Sequence, residues 1–85
     1  MNETRLLFFG PLREAAGGGE RLVQLPDEVA TPAGVIDWIS AGDEVLAARL
    51  AQPDIRIAVD QKIVDRDASF DGAEEIAFLP PFSGG

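Results

Sequence analysis

Two short runs near opposite ends of the chain, Leu6-Leu7-Phe8-Phe9 and Ile76-Ala77-Phe78-Leu79, are apolar at nearly every position. Read as strands, they send successive side chains to opposite faces of a sheet, so each presents apolar groups on both sides and needs cover on both. The stretch between them carries one helical region, which can cover one face. The opposite face, with Phe9 and Leu79 on it, is therefore expected to be covered by another protein.

The remaining elements follow from local chemistry. Thr4 to Phe9 reads as a strand closed by Gly10-Pro11, Leu12 to Ala16 as a short helical turn, and Gly17-Gly18-Gly19 as its stop. Glu20 to Leu25 is a second strand, ended by Pro26-Asp27. Thr31-Pro32 supplies an N-cap and a proline at the first helical position. Val35, Ile36 and Ile39 then recur at helical spacing, and Ala41-Gly42 interrupts before a second helical stretch through Val45, Leu46 and Leu50. Ile55 to Val59, a tight turn at Asp60-Gln61, and Lys62 to Val64 form a hairpin. Asp65 to Gly72 is loop, and Glu75 to Leu79 is a last strand stopped by Pro80-Pro81. This order predicts an α+β domain over residues 1–79, a sheet of about five strands with a helix packed on one face, and a flexible tail over 80–85.

Composition narrows the chemistry. With no Cys, no His and a single lysine (Lys62) in 85 residues, thiol acyl transfer, imidazole proton shuttling and the usual zinc ligand sets are absent, so no metal site is expected. Fifteen acidic residues against seven basic give a net charge of −8, which disfavours nucleic acid and anionic membranes as partners. No cysteine, no secretory leader and no apolar run of spanning length together predict a cytoplasmic protein. Asp67 to Gly72 imitates the first half of a calcium loop, but Phe78 stands where the bidentate carboxylate would be needed.

The tail Pro80-Pro81-Phe82-Ser83-Gly84-Gly85 is mechanically coherent. The prolines bias it toward extended geometry, so its six residues reach up to roughly 20 Å, far enough to enter another protein's active site. Phe82 offers an apolar anchor and Ser83 a hydroxyl. Gly84 and Gly85 carry no side chain and pass where no Cβ could. The reactive group is expected to be the Gly85 carboxylate, an anion at neutral pH that must be activated before it can accept a nucleophile.

Leu7-Phe8-Phe9, Leu12-Arg13-Glu14, Ala58-Val59 with Gln61, Asp71-Gly72, and Glu75-Ile76-Ala77-Phe78 running into the Pro-Pro-Phe-Ser-Gly-Gly end together resemble the MoaD/ThiS family of ubiquitin-like sulfur carriers, specifically the small subunits of molybdopterin synthase. The resemblance covers essentially the whole chain and implies a β-grasp fold. It implies that an adenylyltransferase resembling ubiquitin-activating enzymes uses ATP to adenylate Gly85, that a sulfur donor protein converts it to a thiocarboxylate, and that the large synthase subunit receives the tail. There the sulfur passes to cyclic pyranopterin monophosphate, in a heterotetramer of two small and two large subunits. The resemblance further implies that the carrier itself binds no cofactor and supplies no catalytic side chain. Phe9, Ile63 and Leu79 correspond to the family's docking surface, and Arg13 to a contact with the activating enzyme. Asp60 stands where the family commonly has Asn, Gly34 where a better helix former is usual, and Ala73-Glu74 where an Asp is usual. Two other destinations remain open: delivery of sulfur to thiazole assembly in a thiamine pathway, and isopeptide conjugation of Gly85 as a ubiquitin-like modifier.

Overall fold

A computed structural model describes residues 3–81. The elements are β1 (Thr4–Phe8), α1 (Leu12–Ala16), β2 (Glu20–Val23), α2 (Pro32–Ile39), α3 (Glu44–Leu50), β3 (Arg56–Val59), β4 (Lys62–Val64) and β5 (Glu75–Leu79). They form one mixed sheet in the order β2-β1-β5-β3-β4. The two doubly apolar runs pair with each other in parallel, Leu6 beside Ile76 and Phe8 beside Phe78, and every other pairing is antiparallel. A mixed five-stranded sheet with its helices on one face is the β-grasp arrangement.

The helix boundaries have visible causes. The Thr31 hydroxyl accepts from the Gly34 N–H at 3.1 Å with Pro32 in the first turn, and the Asp43 carboxylate accepts from the Leu46 N–H at 3.0 Å. The layer on one face consists of three short helices, matching the turn at Leu12–Ala16 and the two stretches divided at Ala41-Gly42 that the sequence predicts, and Gly17 and Gly42, both at positive φ, stop the chain from continuing straight. Strand ends also differ slightly. The chain leaves β1 at Phe8, not Phe9, because Gly10 (φ +58) turns it, although the Phe9 N–H still donates to the Phe78 carbonyl at 3.3 Å. Similarly, β2 ends at Val23 rather than Leu25, and β3 starts at Arg56 rather than Ile55.

The core lies between the sheet and the helices. Leu6 and Phe8 from β1 and Ile76 and Phe78 from β5 meet Val35 of α2 and Leu46 and Leu50 of α3, all of them buried. The Phe8 and Phe78 rings stack with centroids 5.2 Å apart. The Arg21 guanidinium covers the Phe8 ring at 5.7 Å while donating to the Ala16 carbonyl at 2.7 Å.

Polar side chains hold the loops to this frame. Asp60 and Gln61 both have positive φ, the turn that suits the twist of a two-residue hairpin. The Asp60 carboxylate accepts from the Glu74 and Glu75 N–H groups, each at 3.0 Å, tying the hairpin to the start of β5. In the long loop before β5, Arg66 donates to the carbonyls of Leu50 at 2.8 Å and Gln52 at 2.7 Å, satisfying acceptors that the end of α3 leaves open. Truncating Phe78 to alanine removes the ring at the centre of this core. The expected loss is about 3–5 kcal/mol of unfolding free energy, measured by urea denaturation.

Candidate functional site

The face of the sheet away from the helices is built by strand parity. Leu7 of β1, Ala77 of β5, Ala58 of β3 and Ile63 of β4 lie in register and form one apolar row across four strands. Toward the end where β5 finishes, Phe9 and Leu79 extend the band, with Arg56 directly opposite Leu79. Phe9 is 43% exposed and Ile63 55%, whereas Leu79 is half-buried. Ala58 and Ala77 are only 7% and 6% exposed, and these two small side chains sit side by side in the middle of the row between Leu7 and Ile63. The centre of the row is therefore low and its ends stand proud, which gives a shallow apolar trough.

Three of the residues expected to contact a partner, Phe9, Ile63 and Leu79, thus share one face. Arg13 does not. It lies exposed on α1, in the helical layer, where α1 packs against α3. Its N–H donates to the Gly10 carbonyl at 3.1 Å, which sets it just beyond the turn that follows β1. Leu7, Ala58 and Ala77 were not singled out in the sequence, yet they have the same parity as Phe9 and Leu79 in their strands or registers. That parity was the available signal.

The chain leaves the sheet beside this band. Pro80 is half-buried against the turn after β1: a Cβ on Gly10 would sit 3.0 Å from the Pro80 Cγ, and Gly10 already holds a φ of +58. Glycine is thus favoured at position 10 on two counts, left-handed backbone and close approach of a ring. Pro81 is exposed and borders an open notch of about 770 Å³ between the diverging ends of β3 and β4, where Arg56 and Ile63 also lie. Phe82, Ser83, Gly84 and Gly85 lie outside the described residues. Among the described residues no cluster of three or more acidic side chains is arranged to hold a metal ion. The loop from Asp67 to Gly72 is pinned instead by the Phe70 N–H donating to the Ala30 carbonyl at 2.9 Å.

Against known families, the ThiS family model matches residues 6–85. The chain belongs to the ThiS family. It is 30% identical over 80 residues to the molybdopterin synthase sulfur carrier subunit of Haemophilus influenzae, a match covering 94% of this chain and 96% of that one. Among solved structures, this ThiS-family chain is similar in fold to SAMP1 from Haloferax volcanii, with a TM-score of 0.79 at 21% identity over 99% of this chain and 100% of that one. It is also similar to a chain in the complex of subunits 1 and 2 of molybdopterin-converting factor from Helicobacter pylori, with a TM-score of 0.63 at 19% identity, over 98% of this chain and 99% of that one. No described helix is long and apolar enough to cross a membrane.

The seat of Pro80 can be tested through Gly10. Alanine there should lower stability by about 1–2 kcal/mol from the left-handed backbone alone. Gly42 has a comparable φ of +80 with no atom near its missing Cβ. Gly10→Ala should therefore shift the urea midpoint further than Gly42→Ala, and equal shifts would mean that the Pro80 contact contributes nothing.

Proposed function

We propose that this ThiS-family protein is the sulfur carrier of molybdopterin synthase and that the group doing its chemistry is the Gly85 carboxylate. The observation that carries the reading is the adjacency of two features: an uncovered apolar band, Phe9, Leu7, Leu79, Ala77, Ala58 and Ile63, and the point where β5 releases the chain toward Gly84-Gly85. A partner docked on the band would receive the tail in the same event. The relative from Haemophilus influenzae, matched nearly end to end, favours molybdopterin synthase over thiazole assembly as the destination.

Carboxylates resist nucleophiles because the leaving group would be oxide. Transfer of AMP from ATP to the Gly85 carboxylate, with release of pyrophosphate, gives a mixed anhydride by the action of a partner adenylyltransferase. Sulfide-level sulfur from a donor protein then attacks the carbonyl carbon, AMP leaves, and a thiocarboxylate remains. In the large synthase subunit the thiocarboxylate sulfur attacks a side-chain carbon of cyclic pyranopterin monophosphate and displaces an oxygen substituent. Water then cleaves the C–S bond to the Gly85 carbonyl and restores the carboxylate, and two loaded carriers supply the two sulfurs of the dithiolene with no net oxidation or reduction. The carrier contributes no acid, base or bound cofactor in this scheme. It contributes aim: Phe9, Ile63 and Leu79 seat the large subunit, Pro80 to Gly84 thread its channel, and Arg13 on the helical side meets the activating enzyme.

Incubation with the activating enzyme, ATP and a sulfur donor should raise the intact mass by the difference between sulfur and oxygen, with Gly85 as the last residue of the mature chain. An unchanged mass with an enzyme active on another carrier, or residues beyond Gly85 in the mature protein, would overturn the reading. Recovery of Gly85 in isopeptide linkage to lysines of many proteins would replace it with the modifier reading. Deletion of Gly85 should abolish dithiolene formation while leaving the urea midpoint unchanged. Phe9→Asp and Leu79→Asp should each weaken binding of the large subunit by about tenfold or more, because docking would then bury an unpaired carboxylate.

A further inference from the structure

The sheet face that carries the apolar band also carries two arginines, one toward each end. Arg5 is answered within the chain: its guanidinium lies 2.9 Å from the Glu75 carboxylate and 3.8 Å from that of Glu20. Arg56 is not. It is exposed, and among the described residues it forms no ion pair, although Asp54, Asp65 and Asp67 line the same notch.

Its position makes that lack of a partner consequential. Arg56 is the cross-strand neighbour of Leu79, and side chains directly opposite on antiparallel strands stand about 5 Å apart at Cβ. Any protein surface that covers Leu79 must also take water away from Arg56. A cation desolvated without a counter-charge weakens an interface, whereas one met by a carboxylate gains a charge-assisted hydrogen bond and fixes the register of docking. The same residue borders the notch that Pro81 reaches, so the counter-charge belongs beside the mouth through which the tail passes.

We propose that Arg56 is a specificity-determining contact of the docking face, and that the large synthase subunit presents an aspartate or glutamate to it at the rim of its tail channel. This inference rests on the proposed docking of the large subunit through the apolar band. Because Arg5 is already neutralised at the other end, Arg56 is, among the described residues, the cation on this face that remains available, and it makes the face asymmetric. An apolar band alone would tolerate a partner turned end for end. A single cation at the tail end does not.

The test is calorimetric titration of the purified large subunit with the full-length carrier and its variants over a range of salt concentrations. Arg56→Gln should weaken binding about tenfold and Arg56→Glu about a hundredfold, with the salt dependence of Arg56→Gln flatter than that of the unaltered carrier. Arg56→Lys, which keeps the charge, should retain most of that salt dependence. Arg49→Gln changes the net charge equally from the exposed surface of α3 and should bind like the unaltered carrier. If Arg49→Gln and Arg56→Gln weaken binding equally, long-range attraction explains the effect and the contact is refuted. If the Arg56 variants bind normally while Leu79→Asp does not, the face is right and the role of Arg56 is wrong. If Leu79→Asp also binds normally, the docking face itself falls.

Discussion

The parallel pairing of β1 with β5 is the constraint on which the molecule depends. It joins strands from opposite ends of the chain at the centre of the sheet, and it sets Phe8 on Phe78 and Leu6 beside Ile76. A parallel pair requires a crossover, and here the crossover contains every helix, so the connection that permits the pairing also roofs one face. The other face receives Leu7, Phe9, Ala77 and Leu79 by parity alone. Core and proposed docking surface are therefore two sides of the same two strands.

Much of this was legible because it is local. The Thr31-Pro32 cap, the Asp60-Gln61 turn and the stop at Pro80-Pro81 each act within a few residues, and the apolar runs declare strands that need cover on both faces. What was not legible involves contacts between distant segments. Nothing in the loop sequence around Arg66 says that its guanidinium caps the end of α3. Likewise, nothing at Asp60 announces that its carboxylate holds the first N–H groups of β5. That second contact gives Asp60 a physical role, since one carboxylate oxygen accepts both bonds. The placement of Arg56 beside Leu79 likewise needs the register of β3 on β5, which periodicity leaves undetermined.

Work is divided along the chain in an unusual way. Side chains capable of covalent catalysis are scarce in this sequence, with neither Cys nor His, while its apolar side chains serve packing and the proposed docking. Such a body can be small because it has to hold a surface and an exit in fixed relation, and Pro80 seated on Gly10 does that at the point of departure. The acidic excess is compatible with this division: the band itself carries few charges, and those at one end are paired among themselves.

The central position of β5 has a mechanical consequence. A pull on the tail acts along the strand's own axis, and β5 is bonded on one side to β1 and on the other to β3. Load applied there is shared by two ladders in shear, all bonds resisting at once, instead of being delivered to one terminal bond at a time as in peeling. The strand proposed to hand its end to another molecule is thus the one best braced against being drawn out with it.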